Sequence, residues 1–318
     1  MVAGVGGRGV AVEAAARVTW ARLAVLLIAG LALEARAQVF QRTLAGVSNG
    51  TTLCVTWADR TFDYRVSQAG SARTPGETEF TALDAAFASW QAVSDGCSDF
   101  KFVRGQRIDS GRIGKGTESE NLMVFRDTDC RTVVPPTDPC LADGSCTNAH
   151  GCWDHSAGTI GLTTVTYSTR TGVAVDADIE FNSGGFLMTT VSSPACALNA
   201  EATDCVAYDI QNTATHEIGH VVGLDHVDQP GSTMAPTAPI GETSKRVIDP
   251  GTAAGFCQTY PRGQPPVPCD ELAVQRSRII ARNTGTFGIS CVSTTVVDAA
   301  PWLGWVGLWC LRRRPRRD

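Results

Sequence analysis

The stretch Gln211–His226, QNTATHEIGHVVGLDH, decides how the rest of the chain is read. In a helix, His216 and His220 stand four residues apart, project from one face and bring two imidazoles to one ion. Glu217 stands beside the first of them. The next helical turn cannot supply a third ligand, so the chain has to bend, and Gly223 can adopt the positive φ that ends a helix and turns the backbone back. His226 then completes a set of three imidazoles. Such a set leaves a zinc ion one open position for water and brings that water's pKa toward neutrality, the pattern of a catalytic rather than a structural site. One Zn2+ per chain is expected. His-Glu-x-x-His alone is a weak signal, because an amphipathic helix can produce it. With Gly223 and His226 added, five fixed positions coincide by chance roughly once in ten thousand chains of this length.

The flanking sequence supplies a frame for that helix. Upstream, TLCVTWADRTFDYRV (Thr52 to Val66) reads as two short extended pieces joined by a turn. A long helix follows, opened by a Thr81/Asp84 capping box, with Leu83, Phe87, Trp90 and Val93 as one apolar stripe for the core. LMVFRD (Leu122 to Asp127) is a buried strand. The span Cys130 to Cys152, with Pro135, Pro136, Pro139 and four cysteines, is a loop that needs staples. GTIGLTTVTYS (Gly158 to Ser168) and AVDADIEFN (Ala174 to Asn182) are strands. The second alternates Ala177, Ile179 and Phe181 against Asp178, Glu180 and Asn182. Downstream, Asp249 caps a last helix with Pro250 at its first position, running to Tyr260. After Pro261 the chain turns to Gly and Pro in RGQPPVP, which marks the end of the domain.

The two ends read as addresses. Arg8, Arg17 and Arg22 precede the apolar run Leu23 to Leu33 and Ala35-Arg36-Ala37, a secretory signal over residues 1–37 with an A-x-A cleavage site. Residues 263–298 read as a linker. Residues 299–318 form a short apolar and Arg-rich tail, PWLGWVGLWCL then RRRPRRD, for which transient membrane retention is expected. Without residues 1–37 and 312–318 the chain has 18 basic and 29 acidic side chains. With no strong Lys/Arg cluster in this acidic body, nucleic acid is excluded as a partner. A monomer is expected.

Export implies that cysteines are mostly bridged. Ten of the twelve lie between Cys54 and Cys269. Closeness along the chain suggests Cys196 with Cys205 and Cys257 with Cys269. Cys54, Cys97, Cys130, Cys140, Cys146 and Cys152 stay ambiguous.

The H-E-x-x-H-x-x-G-x-x-H run followed by Met234 resembles the metzincin zinc metalloproteases. Asp225 before the third histidine and Ser232-Thr233-Met234-Ala235-Pro236 make it most similar to the matrixins. The resemblance extends more loosely from about Thr52 to Pro261. It implies an α+β fold over residues 38–262: a mixed, mostly parallel twisted sheet, two main helices, and the zinc site between an N-terminal and a small C-terminal subdomain. It also implies a zinc endopeptidase for protein or peptide substrates, with Glu217 as acid and base and Met234 as the packed floor of the metal site. Substrate would pair with the GTIGLTTV strand as a sheet edge, and Ala235 to Thr243 would line the pocket beyond the scissile bond. No thiol latch is readable between Gln38 and Thr51. Cys54 could serve as one, although a disulfide is the favoured role. The C-terminal tail resembles bacterial surface sorting tails, including the myxobacterial type.

Two further metal readings arise. Asp176, Asp178 and Glu180 match in position a calcium-bearing strand of matrixins. Alternation alone also produces a solvated polar face, which is favoured over Ca2+. His150 and His155 could join a second, structural zinc, but no four-ligand set is complete. The rivals from other classes are a noncatalytic zinc-binding surface module, which would not need Glu217, and a disulfide-stapled adhesin, which leaves the histidine spacing unexplained.

Overall fold

The fold is described from a computed structural model covering residues 39–114, 120–198 and 201–269 and the strand Ser293–Val296. The expected signal segment and the apolar tail lie outside these residues. Among the described residues, no helix is long and apolar enough to cross a membrane.

Short strands open the body: β1 (Gln41–Arg42), β2 (Leu44–Ser48), β3 (Thr51–Cys54), β4 (Thr56–Trp57) and β5 (Thr61–Val66). After the helix Thr78–Cys97 come β6 (Lys101–Arg104), β7 (Leu122–Phe125), β8 (Gly161–Tyr167) and β9 (Val173–Phe181). Then follow β10 (Met188–Thr189), β11 (Tyr208–Asp209), the helix Ile210–Val221, β12 (Leu224–Asp225), the helix Pro250–Thr259 and β13 (Ser293–Val296). The main sheet runs β13-β8-β9-β7-β5-β6, with β4 also paired to β9. Only the β8–β9 pair is antiparallel; the remaining pairs of this sheet are parallel. The mixed, mostly parallel sheet expected of the fold is therefore present.

The long helix begins earlier than the Thr81/Asp84 pair suggests. A 3-10 turn, Pro75–Glu77, sets its first residue at Thr78, whose hydroxyl donates to the Pro75 carbonyl at 3.0 Å. Thr81 is thus inside the helix, and Asp84 is ion-paired with Arg104. Turn chemistry at Pro75-Gly76 outranks the capping-box spacing. The apolar stripe behaves as expected: Leu83, Phe87 and Trp90 are buried, and Val93 packs against the core half-buried.

Two tryptophans join this frame to the histidine helix. Trp90 Nε1 donates to the Thr215 carbonyl at 2.9 Å, and Trp57 Nε1 to the Val221 carbonyl at 2.8 Å. Each buried indole gains apolar area while its one N–H finds an acceptor, so the pair fixes the helix in place as well as in depth.

The disulfides are Cys54–Cys269, Cys97–Cys257, Cys130–Cys152, Cys140–Cys146 and Cys196–Cys205. The expected Cys196–Cys205 bridge is there, and Cys257–Cys269 is corrected. Cys257 lies on the last helix, which packs across the end of the first long helix at Cys97. Cys269 reaches β3, where Cys54 ends the strand. Spatial packing of elements, not loop length, decides the pairing. Cys54 is thereby committed to a bridge. The chain past Pro261 also stays tied to the body, since Arg42 donates to the Val267 carbonyl at 2.7 Å. The Cys130–Cys152 span is stapled as expected, but it holds three short helical turns rather than open loop.

Candidate metal centre

The helix Ile210–Val221 begins at Asp209, whose side chain accepts from the Asn212 amide at 2.7 Å. It ends where Gly223 takes φ 84°, and a Cβ there would stand 2.4 Å from the Val55 carbonyl oxygen. Both the positive φ and the close approach call for glycine at this position. β12 follows and pairs with β1, which returns the chain along the helix and presents His226 to its face.

The three imidazoles converge. His226 Nε2 lies 3.2 Å from His216 Nε2 and 3.0 Å from His220 Nε2. On their far sides, His216 Nδ1 donates to the Thr233 carbonyl at 2.7 Å and His220 Nδ1 to the Leu224 carbonyl at 2.9 Å. A carbonyl only accepts, so each of these rings carries its proton on Nδ1 and turns an Nε2 lone pair inward. Burial, then the neighbouring imidazoles, push His216 and His226 well below the usual histidine range, which keeps them neutral. Inward lone pairs in near contact repel unless a cation lies among them. Tetrahedral zinc with bonds of about 2.0–2.1 Å would set neighbouring nitrogens about 3.3 Å apart, so the donor set fits that ion.

Glu217 is 3% exposed. The Thr163 hydroxyl of β8 donates to its Oε2 at 2.7 Å. Burial raises its pKa, opposed by His220 and Thr163. Its other oxygen faces Gly161, where a Cβ would stand 2.7 Å from Oε1. Gly161→Ala is therefore expected to push the carboxylate aside and lower kcat roughly tenfold to a hundredfold, with zinc content unchanged. Steady-state kinetics beside metal analysis checks this; unaltered kcat would refute the contact's importance.

Met234 is buried beneath the helix, and its sulfur would lie 2.3 Å from a Cβ on Gly219. Gly219 thus leaves the room that the Met234 sulfur occupies beneath the helix. Asp249 ties this turn to the last helix: its Oδ2 accepts from the Thr233 amide at 2.7 Å and from the Ser232 hydroxyl at 3.1 Å. Burial alone would raise the Asp249 carboxyl, but hydrogen bonds from Thr252, Thr233 and Ser232 outweigh it and hold it low.

Sequence reading singled out neither Thr163, Gly161 and Gly219 nor Lys245. A glycine inside a strand or a helix, where another group can approach closely, is the one local signal that could have pointed to Gly161 and Gly219. Beside Glu217 opens a cavity of about 250 Å³, lined among others by Ile160, Phe186, Tyr208, Ala235, Pro236 and Lys245. The segment after Met234 does line it, as expected, through Thr237 and Ala238 as well. β8 is an open edge only in part: β13 pairs with it over Thr164–Tyr167, while Gly161 to Thr163 have no partner in β13.

The other expected metal groups come out differently. Asp176, Asp178 and Glu180 share one face of β9, with Asn182 just past its end, but all four are buried, so the solvated polar face is corrected. Gly114, after β6, and His155, just past the stapled span, cover it: the Gly114 amide donates to Asp178 at 3.0 Å, and His155 Nε2 lies 2.9 Å from Glu180 Oε2. Burial, with Asp176 beside it, pushes the Asp178 carboxyl up to about 8. Glu180 is held on its other oxygen by Arg126 Nε at 2.7 Å. His150 meets Asp138 at 2.9 Å, away from His155. Cys140, the third member of that group, is bridged to Cys146, so no second zinc set forms among the described residues.

Residues 149–260 match the matrixin family of metallopeptidases. The match starts at the end of the stapled span and runs through the last helix. It contains β8, the three histidines, Glu217, the Met234 turn and Lys245.

Proposed function

We propose that the protein is an exported zinc-dependent endopeptidase. The observation that supports this best is the convergence of three inward Nε2 atoms beside the buried carboxylate of Glu217, at one end of a cavity. Zinc held by His216, His220 and His226 would supply Lewis acidity to the scissile carbonyl and to the attacking water. Glu217, made more basic by burial, takes the water's proton and returns it to the leaving amine. Thr163 holds the carboxylate in place while it does so. An extended peptide lies along Gly161 to Thr163 of β8, between the sheet and the smaller part of the chain after Gly223, in the subdomain arrangement of matrixins.

Five disulfides support an oxidising compartment, in keeping with the secretory signal read over residues 1–37. Casein or gelatin zymography of the purified chain is the test. Clearing is expected, lost on adding a zinc chelator and restored by zinc. Intact substrate in the presence of one bound zinc per chain would return the noncatalytic zinc module.

A further inference from the structure

Lys245 is a cation set into the wall of the cavity beside Glu217, and it is 3% exposed. Its ammonium donates to the Thr237 carbonyl and, at 3.1 Å, to Glu242 Oε2. An ammonium has three protons, so two are used by these partners. Glu242 lies behind: its carboxylate is not part of the cavity wall, and it also accepts from Ser244 at 2.9 Å. The Lys245 backbone amide donates to Asn212 Oδ1 at 2.8 Å, which moors the residue to the histidine helix. The remaining wall is mixed: Ile160, Phe186 and Pro236 are apolar, while Tyr208, Asn212 and Glu217 bring polar groups. A side chain entering here meets apolar groups of Ile160, Phe186 and Pro236 and the cationic donor of Lys245.

Resting on the endopeptidase reading, we infer that Lys245 sets specificity, selecting for the residue after the scissile bond a side chain that ends in an acceptor, glutamate or glutamine. An apolar end of the same length leaves the ammonium's third proton unsatisfied in a desolvated place. A lysine or arginine end meets a like charge, and the one carboxylate in the wall, Glu217, is already engaged by the Thr163 hydroxyl. Walls of this kind accept the methylene stem in both cases, so the discrimination falls on the terminal atoms.

The test compares peptides differing only at that residue, Glu, Gln, Met or Lys, on the zinc-loaded full chain. Wild type is expected to show kcat/KM at least about tenfold higher for Glu and Gln than for Met, and lowest for Lys. In Lys245→Met the advantage over the Met peptide should vanish, while the Met peptide is still cleaved. Fluorescence polarisation of the same labelled peptides on Glu217→Gln should give the same order of affinities, a readout independent of turnover. Cleavage with equal or reversed preference in wild type overturns the role of Lys245 and leaves the endopeptidase reading standing. No cleavage of any peptide by the zinc-loaded chain overturns both.

Discussion

Glu217→Ala is expected to lower peptide hydrolysis by about 10² to 10⁴-fold while each chain still binds one zinc. The imidazoles owe their placement to other groups. His216 is oriented by the Thr233 carbonyl, His220 by the Leu224 carbonyl, and His226 by the turn at Gly223. None of these contacts runs through the Glu217 side chain. The carboxylate instead accepts from the Thr163 hydroxyl of β8. Loss of the carboxylate therefore spares the donor set while removing the group proposed to carry the proton. Metal analysis together with peptide turnover checks both halves. Turnover within a few fold of wild type would sink the assignment, and lost zinc would mean that the carboxylate is structural.

The second large effect is on stability. Glu180→Ala is expected to destabilise the fold by about 3–5 kcal/mol, because it leaves Arg126 buried without its carboxylate. Both side chains are 1% exposed and their ion pair is 2.7 Å. His155, the other partner, is 22% exposed and can turn to water. For a domain of this size the loss corresponds to a fall in Tm of roughly 10 °C. Replacing Arg126 and Glu180 together by methionine and leucine should recover much of it, since no unpaired charge then stays inside. Burial alone would raise the Glu180 carboxyl, but His155 and Arg126 outweigh it and hold it below the usual range. A carboxyl depressed in the folded state contributes stability above its unfolded pKa, and that contribution fades as pH falls through the folded value. Wild type should thus lose stability in acid below about pH 4.5, and the double variant should lose less. Thermal melts across pH 2 to 7 measure it. Single and double variants melting alike would show that the pair carries no such weight.

Local order was legible where one element carries the whole signal. His216 and His220 face the same way because a helix repeats every 3.6 residues, and Gly223 turns the chain because it lacks a Cβ. The Asp249-Pro250 cap and the Leu83, Phe87, Trp90 stripe were readable for the same reason. Where two signals competed over a few residues, as at Pro75-Gly76 and Thr81, spacing alone chose the wrong helix start.

What the sequence by itself determined is the three-imidazole set and the glutamate beside it, all held within Gln211 to His226 by helix period and one glycine turn. Tertiary structure alone decided the rest. It paired Cys257 with Cys97 and Cys269 with Cys54, because those bridges depend on which elements pack together, not on loop length. It buried the acidic face of β9, since alternation marks two faces without naming what covers either. It also brought Thr163 and Gly161 to Glu217 and set Lys245 in the wall of the neighbouring cavity. The physical reason is common to all of these: a local period comes from backbone geometry, whereas a contact between distant residues exists only once the elements carrying them have packed.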